Sequence, residues 1–250
     1  QALIDAISNG VHVCIASGRA FDTLPEDIIS VPGIEYAITS NGAAIYRITG
    51  KECLKSYLLT PSSVKTILNL TANDTVTYEA FIKGQAFAST EYIRHPEKYG
   101  ATEHSLAYVK KTRLLKDDIK GFILEHCHEL DSLDIVVVDE ELKKDIMDRI
   151  RKATDEVYMT SSISQLLEIS YKDAGKKSGV KFLTEYLGLS RENVAAFGDA
   201  DNDTDMIEYA GTGIAMENAA PHLKEIADHI TLHHDKDGVA YAFRNILNIC

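Results

Sequence analysis

The chain has 250 residues, 45% hydrophobic and 26% charged, the proportions of a folded globular protein. Its 26 Lys and Arg against 38 Asp and Glu give a net charge of −12, which argues against a general nucleic-acid binder and a polybasic membrane-surface protein. No apolar run is long enough to span a bilayer, and the first residues carry no signal-peptide pattern. Cys14, Cys53, Cys127 and Cys250 are too scattered for a disulfide framework or a zinc site, so they read as reduced thiols of a cytoplasmic protein.

Leu3, Ile4 and Ile7 share one helical face, and Asn9-Gly10 ends that helix. Val11–Ala16 is a short apolar run, as expected of a buried parallel strand, with Ser17-Gly18-Arg19 at its C-terminal end. A helix is expected within Phe21–Ile29 and a strand over Tyr36–Thr39. Ser40-Asn41-Gly42 is a hairpin signal before strands at Ala43–Arg47 and Leu54–Leu59. Thr60-Pro61-Ser62-Ser63 combines a hydroxyl cap with Pro at a helix start and marks a boundary.

Beyond it the pattern changes. Val64–Leu70 reads as a helix, Thr75–Ile82 and Gln85–Ser89 as paired strands and Lys116–Leu130 as a helix. Leu133–Asp139 follows as a strand, Glu140–Ala153 as a helix and Val157–Thr160 as a strand. That order predicts an α+β unit on one open sheet. From Leu166–Ser170 the first pattern resumes. Helices at Ser178–Leu187, Asp203–Tyr209, Pro221–Ala227 and Val239–Ile249 alternate with strands at Val194–Phe197, Gly213–Met216 and His229–Leu232. βαβα alternation implies a doubly wound parallel sheet. The expected architecture is therefore an α/β core of residues 1–60 and 166–250, interrupted by an α+β domain over 61–165.

The acid excess is concentrated in residues 166–250, with 14 acidic against 8 basic residues, and Asp199, Asp201, Asp203 and Asp205 fall within seven positions. Carboxylates this close repel one another and suggest a counter-cation. Ligands of doubly wound sheets bind beyond the carboxyl ends of the strands. Ser17-Gly18-Arg19, Asn41-Gly42 and Gly198-Asp199 through Asp203 all fall at such ends, and Lys176 opens a helix where the chain re-enters the core. A hydroxyl, an ammonium and a carboxylate cluster on one sheet edge suit phosphoryl chemistry: carboxylates hold Mg²⁺, while Lys and Ser orient phosphoryl oxygens. Counted from Asp199, the EF-hand positions six and twelve are Thr204 and Ala210, which excludes that motif. No G-x-x-x-x-G-K-[ST], G-x-G-x-x-G after a strand or H-E-x-x-H is present.

Ile15-Ala16-Ser17-Gly18-Arg19, Ser40-Asn41-Gly42-Ala43, Lys176 with Ser178-Gly179-Val180, and Phe197-Gly198-Asp199-Ala200-Asp201-Asn202-Asp203 resemble, in this order, the haloacid dehalogenase superfamily. The closest subgroup is the Cof-type sugar-phosphate phosphatases with a C2-type cap. Gly213–Ala219 and Asp237-Gly238-Val239-Ala240 also resemble its C-terminal pattern. Residues 61–165 match only in size and pattern, as a variable cap would.

The resemblance implies a Mg²⁺-dependent phosphatase of small phosphorylated metabolites. Ser17 would hydrogen-bond the transferring phosphoryl group, helped by Gly18, and Lys176 would balance its charge. Asp199 would ligate Mg²⁺ directly, Asp203 would ligate it or orient its waters, Asn202 would contact phosphate, and Asn41 and Gly42 would line the entrance. Lys177 stands where Gly is common and is the alternative to Lys176. In the cap, Tyr78, Glu79, Phe81, Tyr92 and Arg94 are candidate contacts to the leaving group, although packing explains the aromatics.

The family's nucleophile lies on a D-x-D-G-T/V motif, and no D-x-D-G occurs in these 250 residues. By the resemblance that motif belongs upstream of Gln1, on a central strand between those of Ser17 and Asp199. The chain alone is then expected to lack activity and to leave two sheet edges unpaired. Two other readings stand beside the phosphatase: a binding relative that holds Mg²⁺ and a phosphorylated ligand without turnover, and a phosphomutase of the same superfamily.

Overall fold

A computed structural model describes residues 1–100 and 103–249; Cys250 lies outside the described residues. Cys14, Cys53 and Cys127 are free thiols. No described helix is long and apolar enough to cross a membrane.

Helix α1 (Ala2–Ser8) leads into β1 (Cys14–Ala16), and the one-turn α2 (Glu26–Ile29) precedes β2 (Tyr36–Thr39), β3 (Ala44–Arg47) and β4 (Glu52–Ser56). β1 pairs parallel to β2, and β2, β3 and β4 follow antiparallel. The hairpin expected at Ser40-Asn41-Gly42 is present: Ser40 and Asn41 take left-handed backbone angles and Gly42 follows at φ 88°.

The chain then enters a separate six-stranded sheet. Its elements are α3 (Pro61–Leu70), β5 (Thr77–Ile82), β6 (Gln85–Ser89), α4 (Thr90–Arg94), α5 (Glu103–Thr112) and β7 (Leu114–Lys116), then α6 (Ile119–Glu125), β8 (Leu130–Val136), α7 (Glu140–Ala153), β9 (Val157–Thr160) and β10 (Leu166–Tyr171). The strand order is β7-β6-β5-β8-β10-β9. Thr60 caps α3 by accepting from the Ser63 N–H, with Pro61 in the first turn. Asp139 caps α7 through the N–H groups of Glu141 and Leu142.

Alternation then sets the two faces of the sheet. Tyr78, Ala80, Leu133, Ile135, Leu167 and Ile169 pack against Val64, Ile67, Ile123, Ile146 and Ile150 of the covering helices. Each fully buried aliphatic of this kind contributes about 1.5–3 kcal/mol. The opposite face looks at the core, where Phe81 packs on Ala20.

One expectation is corrected here. Leu166–Ser170 does not return to the core sheet; β10 pairs antiparallel with β8 and β9. The pattern explains it. A buried parallel strand is apolar on both faces, whereas β10 alternates Leu167 and Ile169 with Glu168 and Ser170. The chain re-enters the core after Tyr171, where the Gly175 N–H donates to the Asn41 carbonyl at 3.0 Å. The helix expected over Lys116–Leu130 is also shorter. Lys116 ends β7 and Leu130 opens β8, leaving only α6 between them.

The remaining elements are α8 (Lys176–Tyr186), β11 (Ala195–Gly198), α9 (Thr204–Tyr209), β12 (Thr212–Ala215), α10 (Pro221–Ile226), β13 (His229–Ile230) and α11 (Gly238–Asn245). β11, β12 and β13 form a parallel sheet of their own. The core therefore holds two sheets rather than one. Among the described residues β1 pairs only with β2, and β11 only with β12.

Shared packing joins the two sheets: Ile38 and Ile45 of one lie in the same cluster as Ala196 and Ala215 of the other, with Val180 and Leu183 of α8 between them. Gly179 permits this, since a Cβ there would stand 2.5 Å from Ile38 Cγ2. Because β1 has one partner, the Val11–Ala16 run is not buried as expected. Only Cys14–Ala16 forms strand, and Cys14 stays exposed.

Candidate active site

The sequence motifs meet at Asn41. Its N–H donates to the Ser17 carbonyl at 3.1 Å and its carbonyl accepts from Gly175. Its side-chain Oδ1 accepts from Asn202 Nδ2 at 3.0 Å, and its Nδ2 donates to Glu168 Oε1 at 3.1 Å. One buried amide thus links the ends of β1 and β2, the start of α8, the loop after β11 and strand β10 of the six-stranded sheet. The left-handed backbone at Ser40 and Asn41 makes these contacts, and such angles cost of order 1–3 kcal/mol per non-glycine residue. Gly42 is required by contact as well as by φ, because a Cβ there would stand 1.9 Å from the Gly175 carbonyl oxygen.

Ser17 follows β1 directly. Its N–H donates to the Ile38 carbonyl at 2.9 Å and its Oγ accepts from the Arg19 N–H at 3.1 Å. Lys176 opens α8 and turns inward, with Nζ 2.5 Å from Asp203 Oδ1 and both side chains under a tenth exposed. Lys177 is exposed and contributes its backbone N–H to Asp205 Oδ2 at 3.2 Å. Of the two lysines, the structure thus brings Lys176 to the Asp203 carboxylate. A buried ion pair broken by removing one partner costs about 3–5 kcal/mol.

Asp203 holds the loop after β11 in shape. Its Oδ2 accepts from the N–H groups of Asp199 at 2.9 Å and Ala200 at 3.1 Å, which leaves both oxygens engaged. Gly198 makes room for it, since a Cβ there would fall 2.4 Å from Asp203 Cβ. Asp199 itself is exposed, and its Oδ2 accepts from Asn218 Nδ2 at 2.8 Å.

The four aspartates do not converge. Asp201 turns outward to His222 at 3.3 Å. Asp205 turns to the start of α8, where burial raises its carboxyl above the ordinary range. Among the described residues no three His, Cys, Asp or Glu side chains are disposed to hold a metal. What is present is an all-oxygen pair, one carboxylate open and one fixed by backbone amides and Lys176. That donor chemistry fits a hard divalent cation whose remaining ligands come from phosphate and water.

A cleft of 740 Å³ opens beside this loop. Asp199, Ala200, Asp201 and Asn218 form one wall, and Tyr158, Thr160 and Lys143 of the six-stranded unit belong to the other. Lys143 is held by the loop after β9 through Ser161 Oγ at 2.7 Å and the Ser164 carbonyl at 3.0 Å. Sequence reasoning did not single out Glu168 or Asn218. Glu168 was hidden by the assignment of its strand to the core. Asn218 sits in the Gly213–Ala219 stretch, but only the fold turns it toward Asp199.

Comparisons with known proteins agree with this geometry. The family model described as haloacid dehalogenase-like hydrolase matches residues 1–243. The chain is 28% identical over 245 residues to the 5-amino-6-(5-phospho-D-ribitylamino)uracil phosphatase YcsE of Bacillus subtilis (strain 168), covering 98% of this chain and 86% of that one. It is 28% identical over 268 residues to the phosphatase YwpJ of the same organism, covering 99% and 92%. Among solved structures, a HAD subclass IIB sugar phosphatase superposes with a TM-score of 0.85 at 20% identity, covering 100% of this chain and 90% of that one. A haloacid dehalogenase-like hydrolase from B. subtilis superposes at 0.82 and 24% identity, covering 98% and 91%. The chain belongs to the haloacid dehalogenase-like hydrolase family. Family, fold and relatives together define a hydrolase of phosphate esters.

Proposed function

We propose that the protein is a Mg²⁺-dependent phosphomonoesterase of small phosphorylated metabolites such as sugar phosphates, working in the cytoplasm. The observation that carries this is the convergence on Asn41, which gathers Ser17, Lys176, Asn202 and the Asp199–Asp203 loop at the carboxyl ends of the core strands. The named substrate of YcsE, a phosphorylated ribityl compound, supports the substrate class.

In this reading residues 1–60 together with the segment after Tyr171 form the catalytic core, and the intervening six-stranded unit is the cap. Ser17 Oγ and Lys176 Nζ bind and orient the transferring phosphoryl oxygens, with the Gly18 and Asn202 region beside them. Lys176 holds its position through Asp203. Asp199, kept in place by Asn218, would hold Mg²⁺ with Asp203 as its orienting neighbour; bound Mg²⁺ supplies charge neutralisation to the phosphoryl oxygens. Asn41 and Gly42 shape the entrance, and the cap closes over the leaving group.

In this reading the phosphoryl group passes through an aspartyl-phosphate, as the family resemblance implies: an Asp carboxylate attacks phosphorus while the leaving oxygen is protonated, and water then hydrolyses the intermediate. Asp199→Ala in the native protein is expected to abolish Mg²⁺-dependent phosphate release from p-nitrophenyl phosphate. Full retained activity refutes the assignment. A second reading is a binding protein that holds Mg²⁺ and a phosphorylated ligand without turnover. Thermal stabilisation by a sugar phosphate without phosphate release supports that reading.

A further inference from the structure

A second cavity, of 440 Å³, lies in the seam between the four-stranded sheet and the six-stranded unit, and it shares no lining residue with the cleft beside Asp199. Tyr46 of β3 and Cys53 and Ser56 of β4 line it from one side. Lys83 in the β5–β6 turn and Asp131 of β8 line it from the other, and Leu58, on the segment that connects the two units, lines it as well. Its volume falls within the range of small-molecule sites, about 300–1,000 Å³. An occupant would touch both units and their connection at once.

The charges around this cavity are settled in pairs, with one left over. Lys51 Nζ lies 2.7 Å from Asp22 Oδ2, and Lys83 Nζ lies 2.7 Å from Glu129 Oε1. Among the described residues Asp131 has no such ion pair. It is only 3% exposed. Its Oδ1 accepts from Ser56 Oγ at 3.0 Å, while its Oδ2 is buried with no hydrogen-bond partner. Burial raises its carboxyl to about 6, with the Ser56 hydroxyl and the Gly84 and Lys83 amides opposing the rise, so the group is still ionised at neutral pH.

The neighbouring acids register that charge. Burial raises the Tyr46 phenol and the Cys53 thiol, and the Asp131 carboxylate raises both further. The interior of the cavity is therefore electronegative although two lysines stand at it. A water molecule completes the bond to Oδ2 but leaves the charge unbalanced, and a buried charge without a counter-ion is costly. An ammonium group corrects both faults, because it carries the opposite charge and only donates. Leu58, 42% exposed, offers an apolar wall for whatever bears that ammonium.

We propose that this cavity is a second ligand site, taking a small molecule with one primary ammonium on a short apolar body: the ammonium pairs with Asp131 and the body lies against Leu58. The site stands apart from the phosphate cleft, and the proposal does not depend on the phosphatase reading.

The test is isothermal titration of the protein with 2-phenylethylamine and with 2-phenylethanol, which keeps the body and replaces the ammonium by a hydroxyl. The amine is expected to bind at least tenfold tighter than the alcohol. In Asp131→Asn that advantage should shrink to under twofold. Alkylation by iodoacetamide locates the ligand: saturating amine should slow the reaction of Cys53 at least fivefold and leave that of Cys14, which does not line the cavity, within twofold of its free rate. Equal binding of amine and alcohol, a preference that survives Asp131→Asn, an unprotected Cys53, or no binding at millimolar amine each overturns the site. The titrations and the alkylation of the wild-type protein decide the matter even where the variant fails to fold.

Discussion

The cap and the core solve the same packing problem differently. The cap has one continuous six-stranded sheet, one face sealed by α3, α6 and α7 and the other closed against the core. The core splits its strands between two sheets, and its cohesion comes from α8, the Asn41 hydrogen bonds and the Lys176–Asp203 pair. The cap is thus held by distributed apolar burial, and the core at the site by a few polar contacts. The second arrangement places chemistry at strand ends but concentrates the cost of losing any one group.

That contrast can be pressed. Lys176→Ala strands the buried Asp203 carboxylate and should lower stability in urea unfolding by about 4 kcal/mol, with loss of phosphate binding. Ile135→Ala in the cap should cost about 3 kcal/mol by cavity formation while phosphate affinity stays within twofold. An equal loss of phosphate affinity in both would dissolve the distinction.

Asp131 lies at the seam, on β8, accepting from Ser56 Oγ of β4 at 3.0 Å, and burial raises its carboxyl to about 6. The folded state binds the proton more tightly than the unfolded chain, so its ionisation opposes folding in full above pH 6. That penalty fades as pH falls from 6 toward 4. Asp131→Asn should therefore stabilise the protein by about 3 kcal/mol at pH 8 and by almost nothing at pH 4, read from denaturation midpoints at the two pH values. Smallest, Thr60→Ala removes the cap of α3 and its bond to Glu156 at 2.9 Å. It should cost about 1 kcal/mol in the same assay.

Much of this was legible beforehand. Pro61 behind Thr60, the apolar run at Val194–Phe197 and the Ser40-Asn41-Gly42 turn act through local chemistry; the cap and the turn formed where expected, and the strand formed one residue later, at Ala195–Gly198. Ser17, Lys176 and Asp203 were placed by motif, and the structure brings Lys176 and Asp203 into contact. What failed was long-range. A strand such as Leu166–Tyr171 does not state which sheet it joins, and the buried acids at 134 and 168 read as ordinary polar-face positions until register aligned them beside Glu79.

The exposed position of Cys14 on β1 has a practical consequence. Its thiol should be open to maleimide or iodoacetamide, and its labelling rate then reports on that edge: any chain segment or small molecule that settles against β1 would slow it, at a single sulfur, without any need for turnover.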